Sequence, residues 1–446
     1  MRRWKLGFAG AIALLAAGII AGAGELRTGR GFGFERAWPA NFALGPQANA
    51  AEAVVTASDE EDENATSRNL ASPANAKVNN LEMSDEFRKV LTRIPGGEVA
   101  PCVSVVDPYP EFNGIAIDPQ NGVAVLSDTN LKSALIYDLS AGSPPDSSTI
   151  TSPKGWIIGP ATFLSFAAGV AVDPIRHELY TTENDIGDDI AAFPYTANGN
   201  FKARALAVPH GAYGIALSEK YHQMATAIQH DAEIIFYRLQ AQGAEPPLRS
   251  IRGEKTKLAD PHGVAWDEKN GEIVVTNYGN WSRGYWDPDY TGGGHYFPPS
   301  ITVFKDDAKG DVAPIRIIRG PKTQLDWPTG VSVDNLHDEI AIANEPANEV
   351  LIFSRTGQGD IAPIRALGGP QTHIIHPMGV AFDPIHDELW VANFGHETEV
   401  FDRAASGNVA PKRIVRNAPA GVPAAGFGNP TAIAYDSKRD ELLVPN

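Results

Sequence analysis

Pro261–Asn277 reads PHGVAWDEKNGEIVVTN: a Gly, a short apolar run closing on Asp, a turn, then Glu and a second apolar run closing on Asn. Successive side chains of a strand face opposite sides, so two short runs around a turn form a hairpin. The same pattern returns as PTGVSVDNLHDEIAIAN at Pro328–Asn344, PMGVAFDPIHDELWVAN at Pro377–Asn393 and PTAIAYDSKRDELLVPN at Pro430–Asn446. Looser copies start at Asn113, Ala168 and Tyr213, which makes seven. The opening Gly residues stand at 114, 169, 214, 263, 330 and 379, with Ala432 in the last copy. Self-similarity at this period marks a propeller blade or a related array.

Each unit has room for four strands. A third follows in Ile301–Lys305, Val350–Arg355, Thr398–Arg403 and Ala134–Leu139, and a fourth in Ala313–Ile318, Ala362–Leu367 and Ala410–Val415. Four antiparallel strands repeated radially make an all-β fold, the β-propeller. Ala116, Ala171, Ala216, Ala265, Ala381 and Ala434 supply small side chains where blades crowd near the axis, and the opening Gly permits close backbone approach. Counting copies favours seven blades, with six as the alternative if the degenerate copy at Tyr213 is something else. The last copy holds only two strands. Val90–Val106 matches a third-plus-fourth-strand stretch, so N-terminal strands are expected to complete the C-terminal blade and hide both sheet edges.

The GVAVD…E-[IL]-x-V-[AT]-N…[IV]-x-V-F pattern resembles the NHL/YVTN-type bacterial β-propeller repeats of the gluconolactonase-like superfamily, over roughly Glu86–Asn446. The resemblance implies the propeller fold. It leaves function open, because such propellers include binding scaffolds, lactonases and lyases.

Arg2, Arg3 and Lys5 followed by the apolar Leu6–Ala23 read as a signal peptide or N-terminal anchor over residues 1–24. Residues 25–81 lack an apolar period and carry the acidic run Asp59–Glu63, the composition of a disordered linker. Residues 82–446 form the propeller domain. The protein is therefore expected outside the cytoplasm, periplasmic or secreted, with residues 6–23 available as a membrane tether. Cys102 is the only cysteine, so no intramolecular disulfide forms. The net charge of −17 argues against a nucleic-acid partner.

A repeat carries its own control: a residue present in most blades serves the blade, whereas a site is built once. Asp118, Asp173, Asp267, Asp334, Asp383 and Asp436 close six inner strands and read as turn residues. The departures lie at the loops entering the first strand and leaving the second, on one face of the disc. There the sequence offers His210, His262 and His376, Tyr213, Tyr278, Glu345, and Glu183 where most blades have Asn, with Ser127 and Ile228 the other odd residues.

Three His with an open position suit zinc. His210, His262, His376 and Glu183 are therefore the candidate metal set, and the 183–189 loop offers oxygen ligands for calcium. The lactonase resemblance implies a Glu and amides around a divalent cation, to which Glu183, Asn277 and Asn344 correspond. An aromatic insertion, Tyr278–Pro299, adds Trp281, Tyr285 and Trp286. With Tyr213 and Glu345 these are the candidate ligand-binding residues, suited to a small molecule, a glycan or a protein. No nucleophile elbow, phosphate loop or dinucleotide fingerprint is present, and no catalytic residue is assigned. Two functions stand at this point: a binding or scaffold propeller, and a metal-assisted lyase or lactonase in the channel.

Overall fold

The computed structural model describes residues 107–184, 187–282, 295–422, 424, 434–436 and 441–443. Six four-stranded antiparallel sheets succeed one another, each with its strands in chain order from inner to outer. Blade 1 comprises Phe112–Asp118, Val123–Asp128, Ser133–Asp138 and Gly155–Ile158. Blade 2 runs from Ala167–Asp173 to Arg204–Ala207, and blade 3 from Ala212–Ser218 to Arg249–Arg252. Blade 4 runs from Pro261–Asp267 to Arg316–Ile318, blade 5 from Pro328–Asp334 to Arg365–Gly368, and blade 6 from Pro377–Asp383 to Arg413–Arg416.

The expected seven-bladed ring is corrected to six. The inner strand of blade 6 packs directly on the inner strand of blade 1, and Phe112 N donates to Gly395 O across that seam at 2.9 Å. The copy at Tyr213 is a full blade. Among the described residues, the strands of the C-terminal copy, Ala434–Asp436 and Glu441–Leu443, form a two-stranded sheet separate from the six four-stranded ones. Each blade thus completes itself from consecutive strands, and the N-terminal stretch assigned to blade closure, Val90–Val106, lies outside the described residues.

The six opening glycines explain how the ring closes. A Cβ at Gly169, Gly214 or Gly263 would come under 3.0 Å from the carbonyl oxygen of Tyr213, His262 or Thr329 on the next blade. At Gly114 it would meet Ala168 O at 2.6 Å, at Gly330 Met378 O at 2.7 Å, and at Gly379 Ile115 N at 3.0 Å. Backbone therefore abuts backbone all the way round, and only a residue without Cβ fits. Hydroxyls lock the same contacts: Ser127 Oγ donates to Ala168 O at 2.9 Å, Thr276 Oγ1 to Thr329 O at 2.5 Å, and Thr182 Oγ1 to Tyr213 O.

An outer clasp repeats the logic. Ile157, Leu206, Ile251, Ile318 and Leu367 of the outer strands bridge Gly199, Gly243, Gly310, Gly359 and Gly407 of the following blade, and Ile414 bridges Ser143 to close the circle.

The core is six layers rather than one. Each hydrophobic cluster lies between two adjacent blades, the last joining Phe112, Leu126 and Tyr137 of blade 1 to Trp390, Val400 and Val415 of blade 6. Every third strand places one buried aromatic at its fifth residue: Tyr137, Phe193, Tyr237, Phe304, Phe353 and Phe401. The recurrent charges are structural too. Asp173, Asp334 and Asp383 accept from backbone N–H groups two and three residues on. Glu272, Glu339 and Glu388 open second strands and take two-pronged bonds from Arg316, Arg365 and Arg413 of the fourth strands. Among the described residues no helix is long and apolar enough to cross a membrane.

Candidate functional site: the channel mouth

Antiparallel strands put the start of each inner strand and the end of each second strand on one face. Each blade presents a pair there, joined through its backbone: Tyr278 N donates to Asp260 O at 3.0 Å, Gln229 N to Gly211 O at 2.9 Å, and Phe394 N to His376 O at 2.8 Å. Two residues further in, Asn113, Ala168, Tyr213, His262, Thr329 and Met378 form the ring that lines the channel. The cavity they enclose measures about 70 Å³, room for a few waters only. A wider groove of about 530 Å³ between Trp266, Lys220 and Lys269 lies at the inner-strand turns of the opposite face, where both lysine ammoniums donate to backbone carbonyls.

The aromatic residues on the rim are contiguous. Tyr213 packs on His262 with centroids 4.5 Å apart, His262 stacks on Tyr278 at 3.3 Å, and Tyr278 stacks on Trp327 at 5.5 Å. Trp327 ends the series with 41 % of its surface exposed. Tyr213 also reaches across the channel, its hydroxyl donating to Asn113 Oδ1 at 3.1 Å.

A polar chain fixes His262. Asn184 Nδ2 donates to Ala212 O, which orients its amide, and to Gln229 Oε1 at 2.6 Å. Gln229 therefore presents Nε2 to His262 Nε2 at 2.7 Å, and His262 Nδ1 donates to Asp260 O at 3.1 Å. His262 is thus the neutral Nδ1–H tautomer, with its lone pair already taken. His210 pairs with Asp188 at 3.0 Å and stacks on His230. His376 pairs with Glu345 at 2.6 Å, and that hydrogen bond holds its imidazolium above the ordinary histidine value. The three histidines come from three blades, and each engages a different partner.

Acid groups gather on the same side. Burial pushes Asp260 up to about 6, against the His230 charge and the Gln229 hydrogen bond. Burial and Glu345 raise Asp326; burial, with Asp326 alongside, raises Glu349 despite its bond from Asn344.

Glu183 is a loop clamp. It accepts from Ser165 N at 2.6 Å and Phe166 N at 3.0 Å, as Asn277, Asn344 and Asn393 accept from Ala259, Asp326 and Ile375 N–H groups. Strand register places Asp128, not Ser127, at this position in blade 1. Ser127 belongs with the hydroxyls of the inner ring.

Burial pushes Glu183 up to about 8, above its ordinary 4.5, against the Ser165, Thr181 and Phe166 bonds. The unfolded chain then holds fewer protons than the folded one between these values, so this group costs stability as pH rises through that window. Glu183→Gln keeps a neutral acceptor in the clamp. Its Tm is expected to match the native Tm at pH 5 and exceed it by a few degrees at pH 9; equal pH profiles in thermal unfolding would refute this.

Trp327 and Asp260 escaped the sequence reading. They stand immediately before the inner strand, where the blades in order carry Glu111, Phe166, Gly211, Asp260, Trp327 and His376. The sequence signal is the Trp-Pro and Asp-Pro pairs, which begin two residues upstream of the channel-lining ring. The aromatic insertion opens as a hairpin arm, Asn280–Ser282 with His295–Phe297, directly after Tyr278. Trp281 pairs there with Tyr296 by register; Tyr285 and Trp286 lie outside the described residues.

Fold and rim together define a six-bladed β-propeller with a narrow channel and an aromatic, acidic mouth. No family model matches the chain, and no curated protein does; the NHL/YVTN likeness rests on the repeat residues themselves. Among solved structures, the chain is similar to the hydrazine synthase of Kuenenia stuttgartiensis, with 12 % identity and a TM-score of 0.45 over 69 % of this chain and 99 % of that one. It is also similar to a chain of a nidogen/laminin complex, with 14 % identity and a TM-score of 0.43 over 69 % of this chain and 95 % of that one. The propeller assignment rests on the blades and their closure.

Proposed function

We propose that this protein is a binding propeller that holds a glycan, or another polyhydroxylated ring, on the rim around Trp327. One observation carries the reading. The rim position is a left-handed turn in four blades, at φ 83° for Gly211, 53° for Asp260, 43° for Trp327 and 47° for His376. Gly211 is the residue that backbone alone selects. An L side chain in this region costs about 1 kcal/mol, and the indole that occupies it, stacked on Tyr278, keeps 41 % of its surface exposed. Strain kept at an exposed aromatic points to use.

An indole platform suits the apolar face of a sugar, while the carboxylates and amides beside it accept hydroxyl protons. Directly after Tyr278 the chain continues into the aromatic-rich stretch that contains Trp281, Tyr285 and Trp286. The positive and apolar N-terminal segment supports a location outside the cytoplasm. The occupied lone pair of His262 and the narrow channel favour rim binding over metal-assisted turnover inside the channel.

Trp327→Gly tests the proposal. Fluorescence titration with glycans selected on an array is expected to show affinity reduced on the order of 30-fold, the weight of an aromatic hot spot. Tm should stay level or rise, because strain is relieved. Native protein that binds no glycan, or a variant that binds as well, would sink the reading.

A further inference from the structure

His210, His262, His376 and Glu183 lie on loops and strand ends of blades 2 to 6. Among the described residues, the side chains that can share one ion are Asp107, Glu111 and His396, with ligand atoms all within 4.8 Å of one another. All three are buried, at 7 %, 1 % and 5 % exposure. We propose that Asp107, Glu111 and His396 bind a divalent transition-metal ion, zinc foremost, which clasps blade 6 to blade 1 at the seam of the ring.

The tautomer of His396 is the first support. Its Nδ1 lies 2.8 Å from Pro110 O, a pure acceptor, so Nδ1 carries the proton. Nε2 is turned into the cluster, 3.1 Å from Asp107 Oδ2, yet it has no hydrogen-bond partner. A buried lone pair facing a carboxylate is unfavourable unless a proton or a metal cation lies between them. A backbone carbonyl holding the far nitrogen is the arrangement that orients histidine ligands at metal centres. Ligand atoms each ~2.1 Å from a tetrahedral ion stand about 3.4 Å apart, close to the 3.1 Å between His396 Nε2 and Asp107 Oδ2.

The surroundings are rigid. Pro110 O also accepts from Asn417 Nδ2 at 2.9 Å, and Asn417 N donates to His396 O at 3.1 Å. Asn130 Nδ2 donates to Asp107 O and Tyr109 O, Tyr109 N to Asp107 Oδ1, and Glu111 N to Asp128 Oδ1 at 2.6 Å. The segment before blade 1 and the loop after the second strand of blade 6 are therefore held in place from both sides.

The imidazole nitrogen beside carboxylate oxygens favours zinc or manganese over calcium or magnesium. Burial of all three ligands excludes substrate, so the ion is structural. Its place has a mechanical reason. No described blade is shared between distant parts of the chain, and the seam is where the ring closes on non-covalent contacts alone. An ion bound to residues 286 positions apart, counted from Pro110 to His396, would close it.

The test uses the full chain, purified without chelator. Elemental analysis is expected to find about one equivalent of zinc or manganese, strongly reduced in His396→Gln. Chelation should lower Tm, and added zinc should restore it in the native protein but not in the variant. If His396→Gln fails to fold, cobalt(II) added to chelator-treated native protein should give a visible d–d band that zinc displaces. Metal-free native protein with no Tm response to zinc and no cobalt band would overturn the proposal, leaving an imidazolium–carboxylate pair.

Discussion

Gly263→Val is expected to lower Tm by roughly 5 °C, because overpacking of this kind costs about 3 kcal/mol in a propeller of about 300 residues. The new Cβ would come under 3.0 Å from Thr329 O, and its nearest neighbours also include Thr276 Oγ1 and Val331 Cγ1. None of these is the far end of a flexible chain. Thr329 and Val331 belong to the inner strand of blade 5, so relief requires that whole strand to move away from the axis. Gly379→Val probes the closure itself. There the nearest atoms are Ile115 Cγ2 and N at 3.0 Å, on blade 1. Combining it with Ile115→Ala opens space only if blades 6 and 1 touch. A double-mutant cycle should therefore return a favourable coupling of about 1 kcal/mol. Strict additivity in chemical denaturation would falsify the six-bladed closure.

Arg316→Leu is expected to cost about 3 kcal/mol at pH 7, because it leaves an ionised carboxylate buried with half its partners. Arg316 makes two bonds of 2.7 Å to Glu272, which is 6 % exposed. Arg355 from blade 5 reaches the same carboxylate at 3.2 Å, so the charge is shared across two blades. Burial alone would raise Glu272, but the Arg316 hydrogen bonds, with the Arg316, Arg355 and Lys305 charges, outweigh it and hold the carboxyl below its ordinary 4.5. The sign follows. A depressed carboxyl contributes stability above its unfolded value and loses it as pH falls through the folded value. The difference between native protein and variant should accordingly shrink from pH 7 towards pH 4. Adding Glu272→Leu should recover part of the loss, since an apolar pair of similar volume replaces a broken ionic one. A pH-independent deficit in urea unfolding would show that Arg316 acts through packing alone.

Much of the blade was legible in the residues. Alternation gave the strands, Asp at the close of inner strands gave the turn carboxylates, and recurrence separated these from site chemistry. The Gly of each copy was correctly tied to close approach, although only the ring shows what it approaches: the carbonyl of the next blade. Several rim residues were also within reach, namely Tyr213, His262, Tyr278, Glu345 and His376, because a repeat exposes its own exceptions. Trp327 and Asp260 were not, since the Trp-Pro and Asp-Pro pairs mark a boundary before each of these inner strands but not that its turn is left-handed.

What the chain determined by itself is local: hairpins, blades, the small residues at the axis and the class of fold. The number of blades is not local. A hairpin motif is satisfied by its own turn and its own ladder, so the copy at Pro430–Asn446 looks as good as any other. Whether it enters the ring depends on the angle between successive sheets and on whether Gly379 meets Ile115 first, a contact between residues at opposite ends of the propeller. The same holds for Asp107, Glu111 and His396. Their spacing carries no ligand signature, and only closure of the ring, driven by packing of Trp390 against blade 1, brings them within reach of one ion.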